Sequence, residues 1–189
     1  MYLFFDTETT GLPANWKAPV HDLSNWPRLV QLAWLLYDSS GSLLFSANHI
    51  IRPEGFTIPA GSSCIHGITQ ERACRDGSPL AAVLTEFFSY LNESEVLVAH
   101  NISFDENIVG AEFLRQNMPN LIPSKKRICT MLKTTNFCKL DGPYGYKWPK
   151  LSELHYLLFQ SDLAEAHNAA VDIQATAKCF WELKKRGII

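Results

Sequence analysis

The sequence predicts an α/β fold, a mixed sheet covered by helices. Two patterns carry that prediction. Early apolar segments of strand length pair off as a hairpin, and later ones alternate with stretches of helical periodicity. The 189 residues are 47% hydrophobic and 12% aromatic, enough to fill one substantial core, so a single domain over residues 1–189 is expected.

The elements follow in order. YLFFD (2–6) reads as a short buried strand, and a long loop carrying Trp16, Trp26 and three prolines then runs from Gly11 to Arg28. RLVQLAWLLYD (28–38) and SLLFSANHIIRP (42–53) flank a Ser-Ser-Gly turn at 39–41 and read as a hairpin. SPLAAVLTEFFSYL (78–91) is a helix by its spacing, with Ser78 placed as N-cap and Pro79 at the first helical position. EVLVAH (95–100) is a further strand. SFDENIVGAEFLRQN (103–117) begins with Ser103 and Glu106 in the arrangement of a capping box. RICTM (127–131) supplies a fifth strand, LSELHYLLF (151–159) a short helix, and a long last helix spans Asn168 to Lys185. There is no internal repeat or low-complexity tract.

Composition excludes several classes. A formal net charge of −2 gives no global basic field for sequence-blind binding to nucleic acid, so any polyanion must be held locally. Cys64, Cys74, Cys129, Cys138 and Cys179 are odd in number and widely spaced, with no C-x-x-C pair. They read as free buried thiols in a reducing compartment rather than a disulfide or zinc framework. MYLFF lacks a basic leader, and no apolar run is long enough to cross a bilayer, so a cytoplasmic protein without a membrane partner is expected.

Three acidic stations carry the chemistry. Side chains two apart on a strand share a face, so Asp6 and Glu8 project together if the first strand persists that far. Asp105 falls in the first turn of a helix after a buried strand, a place where an acid also suits the helix dipole. His167 and Asp172 are five apart; they converge only if His167 lies in the loop entering the last helix and Asp172 within it. All three stations sit at strand ends or helix starts, where open sheets gather ligand sites. Two carboxylates about 5 Å apart repel by roughly 3 kcal/mol at an effective dielectric near 20. Gathered carboxylates therefore require protons or cations, and hard oxygen ligands favour Mg²⁺ or Mn²⁺ over zinc. Two such ions would neutralise four carboxylates and let the site accept a phosphodiester.

FDTETTGL (5–12), HNISFD (100–105) and HNAAVD (167–172) resemble, in order, the three motifs of the DEDDh family of DnaQ-like 3′ to 5′ exonucleases, and IHGIT (65–69) resembles a further segment common there. The resemblance implies a ribonuclease H-like fold, with a mixed five-stranded sheet flanked by helices, and a two-metal mechanism. Asp6 would bridge both ions, Glu8 and Asp172 would help hold the ion carrying the attacking water, Asp105 would serve the other, and His167 would be the general base. It further implies Thr9, Gly11, Leu12, His66, Asn101 and Phe104 around the terminal nucleotide, with Leu12 as a wedge. Gly11 suits a turn equally, and Leu12 and Phe104 suit a core equally.

The resemblance thus implies a metal-dependent exonuclease releasing nucleoside 5′-monophosphates from single-stranded 3′ ends, DNA favoured. An RNA-trimming or oligonucleotide exonuclease is the alternative among enzymes, and a non-catalytic nucleic-acid-binding module the alternative outside them. The chain stops at Ile189, soon after the last helix, so a stand-alone enzyme is expected ahead of a DNA polymerase or repair partner. Two segments fall outside the motifs, the 12–28 loop and DGPYGYKWPK (141–150); each suits a cleft border or a core cover. The cations at 125–127, with Lys147 and Lys150, suit either phosphate contacts or a solvated face, and those at 184–186 fit a helix end.

Overall fold

Strand β1 (Tyr2–Thr9) organises the molecule, because its alternating side chains feed two cores at once. The structure is a computed structural model that describes residues 1–163 and 168–189. β1 pairs antiparallel with β2 (Leu29–Tyr37), which pairs antiparallel with β3 (Leu43–Ile50). On its other side β1 runs parallel to β4 (Val96–Ala99), which pairs parallel with β5 (Lys126–Cys129). The result is the expected mixed five-stranded sheet, in the order β3-β2-β1-β4-β5.

Leu3 and Phe5 enter the larger core, under α3 (Leu80–Glu93) and α4 (Ile102–Arg115), beside Leu84, Phe87, Ile108 and Phe113. Phe4 points to the opposite face, where Ile173, Ala177 and Phe180 of α7 (Ala169–Lys185) cover it. Burying one such ring is worth about 1.5–3 kcal/mol. The ring pair Phe4 and Phe180, 5.2 Å between centroids, sets the depth at which α7 lies on the sheet. Four residues on from Phe4 the strand has advanced about 13 Å to Glu8. Eight residues back from Phe180 the helix has receded about 12 Å to Asp172. Packing of apolar rings therefore brings these two acids to one level.

α1 (Ala60–His66) and α2 (Gln70–Asp76) precede α3, and α5 (Thr130–Cys138) follows β5 directly. A small hairpin of β6 (Asp141–Gly142) and β7 (Gly145–Tyr146) leads to α6 (Leu151–Phe159), which packs against α7. α1, α2 and α5 were not foreseen from the sequence. Their signals were local: Gly67 closes α1 in the left-handed region (φ 70°), and the Thr69 side chain caps α2 by accepting from Arg72 N at 3.2 Å.

Four expectations need correction. Pro79, not Ser78, is the N-cap of α3, because the Ser78 backbone is engaged in a bridge to Ile51. α4 starts at Ile102 behind a left-handed Asn101, so Ser103 caps nothing, and Glu106 pairs with Arg127 at 3.1 Å in place of closing a capping box. The fifth strand ends at Cys129, since Thr130 already begins α5. Cys64 and Cys74 are exposed on the short surface helices; only Cys129, Cys138 and Cys179 are buried, and all five are free.

The long loop after β1 is tied to α4. Arg115 Nη2 donates to the carbonyls of Leu23 and Trp26, both at 2.7 Å. Glu112, fully buried, accepts from Arg28 Nε at 2.9 Å and Leu29 N at 3.0 Å and lies 2.9 Å from Arg115. Gly110 lets Val20 and Asn120 close on the helix, since a Cβ there would lie 2.9 Å and 2.7 Å from their side chains. Glu112→Ala strands two partly buried guanidinium groups, and a loss of about 3–5 kcal/mol is expected in urea denaturation. A loss below 1 kcal/mol would mean that the loop is held by its apolar contacts alone.

Candidate active site

β1 does persist to Thr9, so Asp6 and Glu8 share the face toward α7. They lie opposite Ala33 and Gln31 of β2, and the pairing slips just after Glu8, where the strand begins to leave the sheet. Asp172 comes from the first turn of α7, whose N-cap, Asn168, accepts from Ala170 N at 3.0 Å. Ligand oxygens of Asp6, Glu8 and Asp172 all lie within 4.8 Å of one another. This is the donor set of a hard-cation site, carboxylate oxygen throughout.

Asp105 joins from the other side. β4 stops at Ala99, short of the end of β1, and the carboxylate replaces a strand partner there. Its Oδ1 accepts from Thr7 N at 3.0 Å and from Thr7 Oγ1 at 2.7 Å. Thr7 was not singled out from the sequence, yet it is the residue that holds Asp105 beside the cluster. The only cue was its place between the two acids.

The electrostatics suit the binding of cations. Burial raises the pKa of Asp6 well above the ordinary carboxylate range, and the charges of Asp105, Asp172 and Glu8 raise it further. Burial, then Asp172 and Asp105, push Glu8 up to about 7. Burial pushes Asp105 up to about 7 against the hydrogen bonds from Thr7, which favour its charged form. Each group is costly to ionise alone, and a bound divalent ion reverses that cost.

Around the cluster, Thr9 is buried and its hydroxyl fastens the turn, donating to Gly11 O at 2.6 Å. Gly11 has φ 153°, which suits glycine. Leu12 is 73% exposed, so it is not core. His66 ends α1, accepts from Ile68 N at Nδ1 (3.1 Å), and adjoins the Thr9 carbonyl; burial lowers its pKa. Its Nε2 is buried with no hydrogen-bond partner of good geometry among the described residues. Phe104 packs against the larger core and lies 5.7 Å from the Trp16 ring. His167 lies outside the described residues.

Two further residues act as positioning groups, a role the sequence does not assign to either. Buried Gln31 donates to Asn48 Oδ1 at 2.7 Å and accepts from Ala169 N at 3.4 Å, joining the sheet to the start of α7. His100 bridges Thr130 Oγ1 (2.9 Å at Nδ1) and the Pro149 carbonyl (3.0 Å at Nε2). A carbonyl only accepts, so Nε2 carries the proton and Nδ1 takes the threonine hydroxyl. Burial lowers its pKa and keeps this neutral tautomer.

A family model described as exonuclease (RNase_T) matches residues 3–180. The chain belongs to this exonuclease family. The PolC-type DNA polymerase III of Streptococcus sanguinis is 31% identical over 180 residues, and that of Streptococcus pyogenes serotype M2 is 30% identical over 180. Each match takes in 95% of this chain but 11% of the polymerase, so the exonuclease chain spans about a tenth of the length of these relatives. Escherichia coli Exonuclease I in complex with a dT13 oligonucleotide superposes with a TM-score of 0.76 at 20% identity, covering 98% of this chain and 41% of that one. Exonuclease I of Methylocaldum szegediense gives 0.74 at 19%, covering 98% and 40%. These likenesses confirm the ribonuclease H-like fold. Among the described residues no helix is long and apolar enough to cross a membrane.

Proposed function

We propose that this chain acts as one exonuclease domain that removes nucleotides from single-stranded 3′ ends, DNA favoured, and releases nucleoside 5′-monophosphates. The observation that carries the reading is the convergence of Asp6, Glu8 and Asp172 within 4.8 Å, with Asp105 held next to them by Thr7. Asp6, Glu8 and Asp172 would hold Mg²⁺ or Mn²⁺, and Asp105 would serve a second ion. When bound, two such ions neutralise the carboxylates, lower the pKa of the attacking water and stabilise the charge on the leaving oxygen.

The remaining roles fall to the chain's own side chains. His167 takes the water's proton, a task for which an imidazole with an ordinary pKa of about 6.5 is suited near neutral pH. Thr9 and Gly11 shape a turn that lets the backbone approach the terminal nucleotide, and exposed Leu12 is free to wedge against its base. His66 and Asn101 offer polar contacts to the same nucleotide, and Phe104 an aromatic wall. That Exonuclease I was crystallised with dT13 supports DNA as the substrate. The likeness to PolC-type polymerases supports a replication or repair setting, and the five free thiols support a reducing, cytoplasmic one.

The test uses 5′-labelled and 3′-labelled single strands with Mg²⁺, Mn²⁺ or EDTA. A ladder shortening from the 3′ end in metal, with label released as a mononucleotide, is expected, and His167→Ala should slow it by about 10²–10⁴-fold. Matched strands ending in ribose and deoxyribose decide between RNA and DNA through the 2′-OH. Wild-type protein that binds strands without shortening them would leave a non-catalytic binding module.

A further inference from the structure

Trp16 and Trp148 are 52% and 64% exposed, and they come from the two segments that the exonuclease motifs leave unexplained. Both line one cleft of about 500 Å³, with Asn101, Ser103, Met131 and Leu132 completing its walls. That size is ordinary for a small-ligand site. The cleft borders the proposed active site directly. Asn101 and Ser103 open α4, the helix that delivers Asp105, and the Trp16 ring rests on Phe104, the residue next to Asp105.

Each indole stands on backbone fixed from both sides. Asn15 N donates to Asn25 Oδ1 at 2.7 Å, and Lys17 N donates to Asn15 Oδ1 at 2.9 Å, so Trp16 sits inside a closed set of turns. His100 holds the Pro149 carbonyl at 3.0 Å, while Glu153 accepts from Lys150 N at 2.8 Å and binds Lys147, so Trp148 lies between anchored neighbours. An exposed ring on rigid backbone loses little conformational freedom when a partner stacks on it. Ser103 and Leu132 also border a second, adjoining cleft that carries Lys133 and Arg127, the latter paired with Glu106 in the same wall. The surface therefore passes from aromatic rings to a stretch that carries Lys133 and the Arg127–Glu106 pair.

We propose that the trough between Trp16 and Trp148 binds the bases of the nucleotides immediately 5′ to the scissile one, with Arg127 and Lys133 beside their phosphates. The proposal rests on the exonuclease reading above and names where the rest of the strand lies. Stacking on indole rings tolerates any base, so the trough confers a preference for length without a preference for sequence. His100 acts as a positioning residue for the Trp148 wall.

The test measures binding of fluorescein-labelled dT12 to Asp6→Asn protein in Mg²⁺, with Trp16→Ala, Trp148→Ala or the corresponding Phe changes added. Each Ala change should weaken binding by about 5- to 100-fold, and each Phe change should restore most of it, because a phenyl ring still stacks. Melting curves that match the parent's show that a weakened variant is folded. In the active protein, the ratio of kcat/KM for a 12-mer to that for the dinucleotide pTpT should fall by a similar factor in the Ala variants. Ala variants that bind dT12 as tightly as the parent, or Phe variants no better than Ala, overturn the proposal. The two readings fail separately. Normal shortening with unchanged length preference in both Ala variants removes the trough and keeps the exonuclease; tryptophan-dependent dT12 binding without strand shortening does the reverse.

Discussion

Asp6→Asn should lower 3′-end excision by on the order of 10³-fold or more while raising the melting temperature of the metal-free protein. The two effects have one origin. Asp6 lies between Asp105, Asp172 and Glu8, and burial together with those three charges makes it costly to ionise. In the absence of ions its charge is a liability to the fold, and a neutral amide of the same shape removes that liability. Relief of about 1–3 kcal/mol is a fair scale for one like-charge contact at an effective dielectric near 20. For a chain of this size that corresponds to roughly 2–10 °C. The same amide is a poor ligand for Mg²⁺ or Mn²⁺, and the three-carboxylate set loses a member. Differential scanning fluorimetry in EDTA and a gel assay in metal read the two effects side by side. A variant that melts lower than the parent in EDTA would show Asp6 to be a structural hydrogen-bonding group, and one that still trims strands would remove it from the site.

The sequence revealed most where one residue carried one signal. Alternation along YLFFDTET placed Asp6 and Glu8 on one face, and strand β1 keeps them there. The last helix, read as starting near Asn168, does begin there, at Ala169 behind an Asn168 cap, and so carries Asp172 in its first turn. The sequence was silent where a role depends on where another element stops. Thr7 serves Asp105 only because β4 ends at Ala99 and leaves the Thr7 N–H without a strand partner, a length mismatch that no local pattern encodes. Gln31 reaches α7 from a strand 138 residues away in sequence. The capping box at Ser103 and Glu106 was misread for a related reason. Asn101 turns the chain through φ 70° and starts the helix early, and Arg127 on the neighbouring strand claims Glu106. His100 read as part of a motif, but its work is to fix Pro149, which lies 49 residues on.

Metal-free protein should be more stable near pH 5.5 than at pH 8, and saturating Mg²⁺ or Mn²⁺ should abolish the difference. Glu8 and Asp105 each titrate at about 7 in the fold, against ordinary values of 4.5 and 3.8, and Asp6 is raised as well. The folded chain therefore keeps protons that the unfolded chain releases. Stability from these groups is full below the unfolded values and is lost as pH rises through about 7. The raised Glu8 value alone corresponds to something on the order of 3 kcal/mol, and the coupled cluster to less than the sum of its members. Exposed acids with lowered values, among them Asp76 and Glu182, act in the opposite sense, but only at more acidic pH, so the optimum falls between the two windows. Ion binding requires the carboxylates deprotonated, so apparent affinity should climb with pH over the same interval and proton release should accompany it. Isothermal titration calorimetry in two buffers of different ionisation enthalpy counts those protons. A flat stability profile from pH 5.5 to 8 in EDTA, or uptake of Mn²⁺ that releases no proton at pH 6, would mean that the acids are ionised before any cation arrives and that the cluster is not built around one.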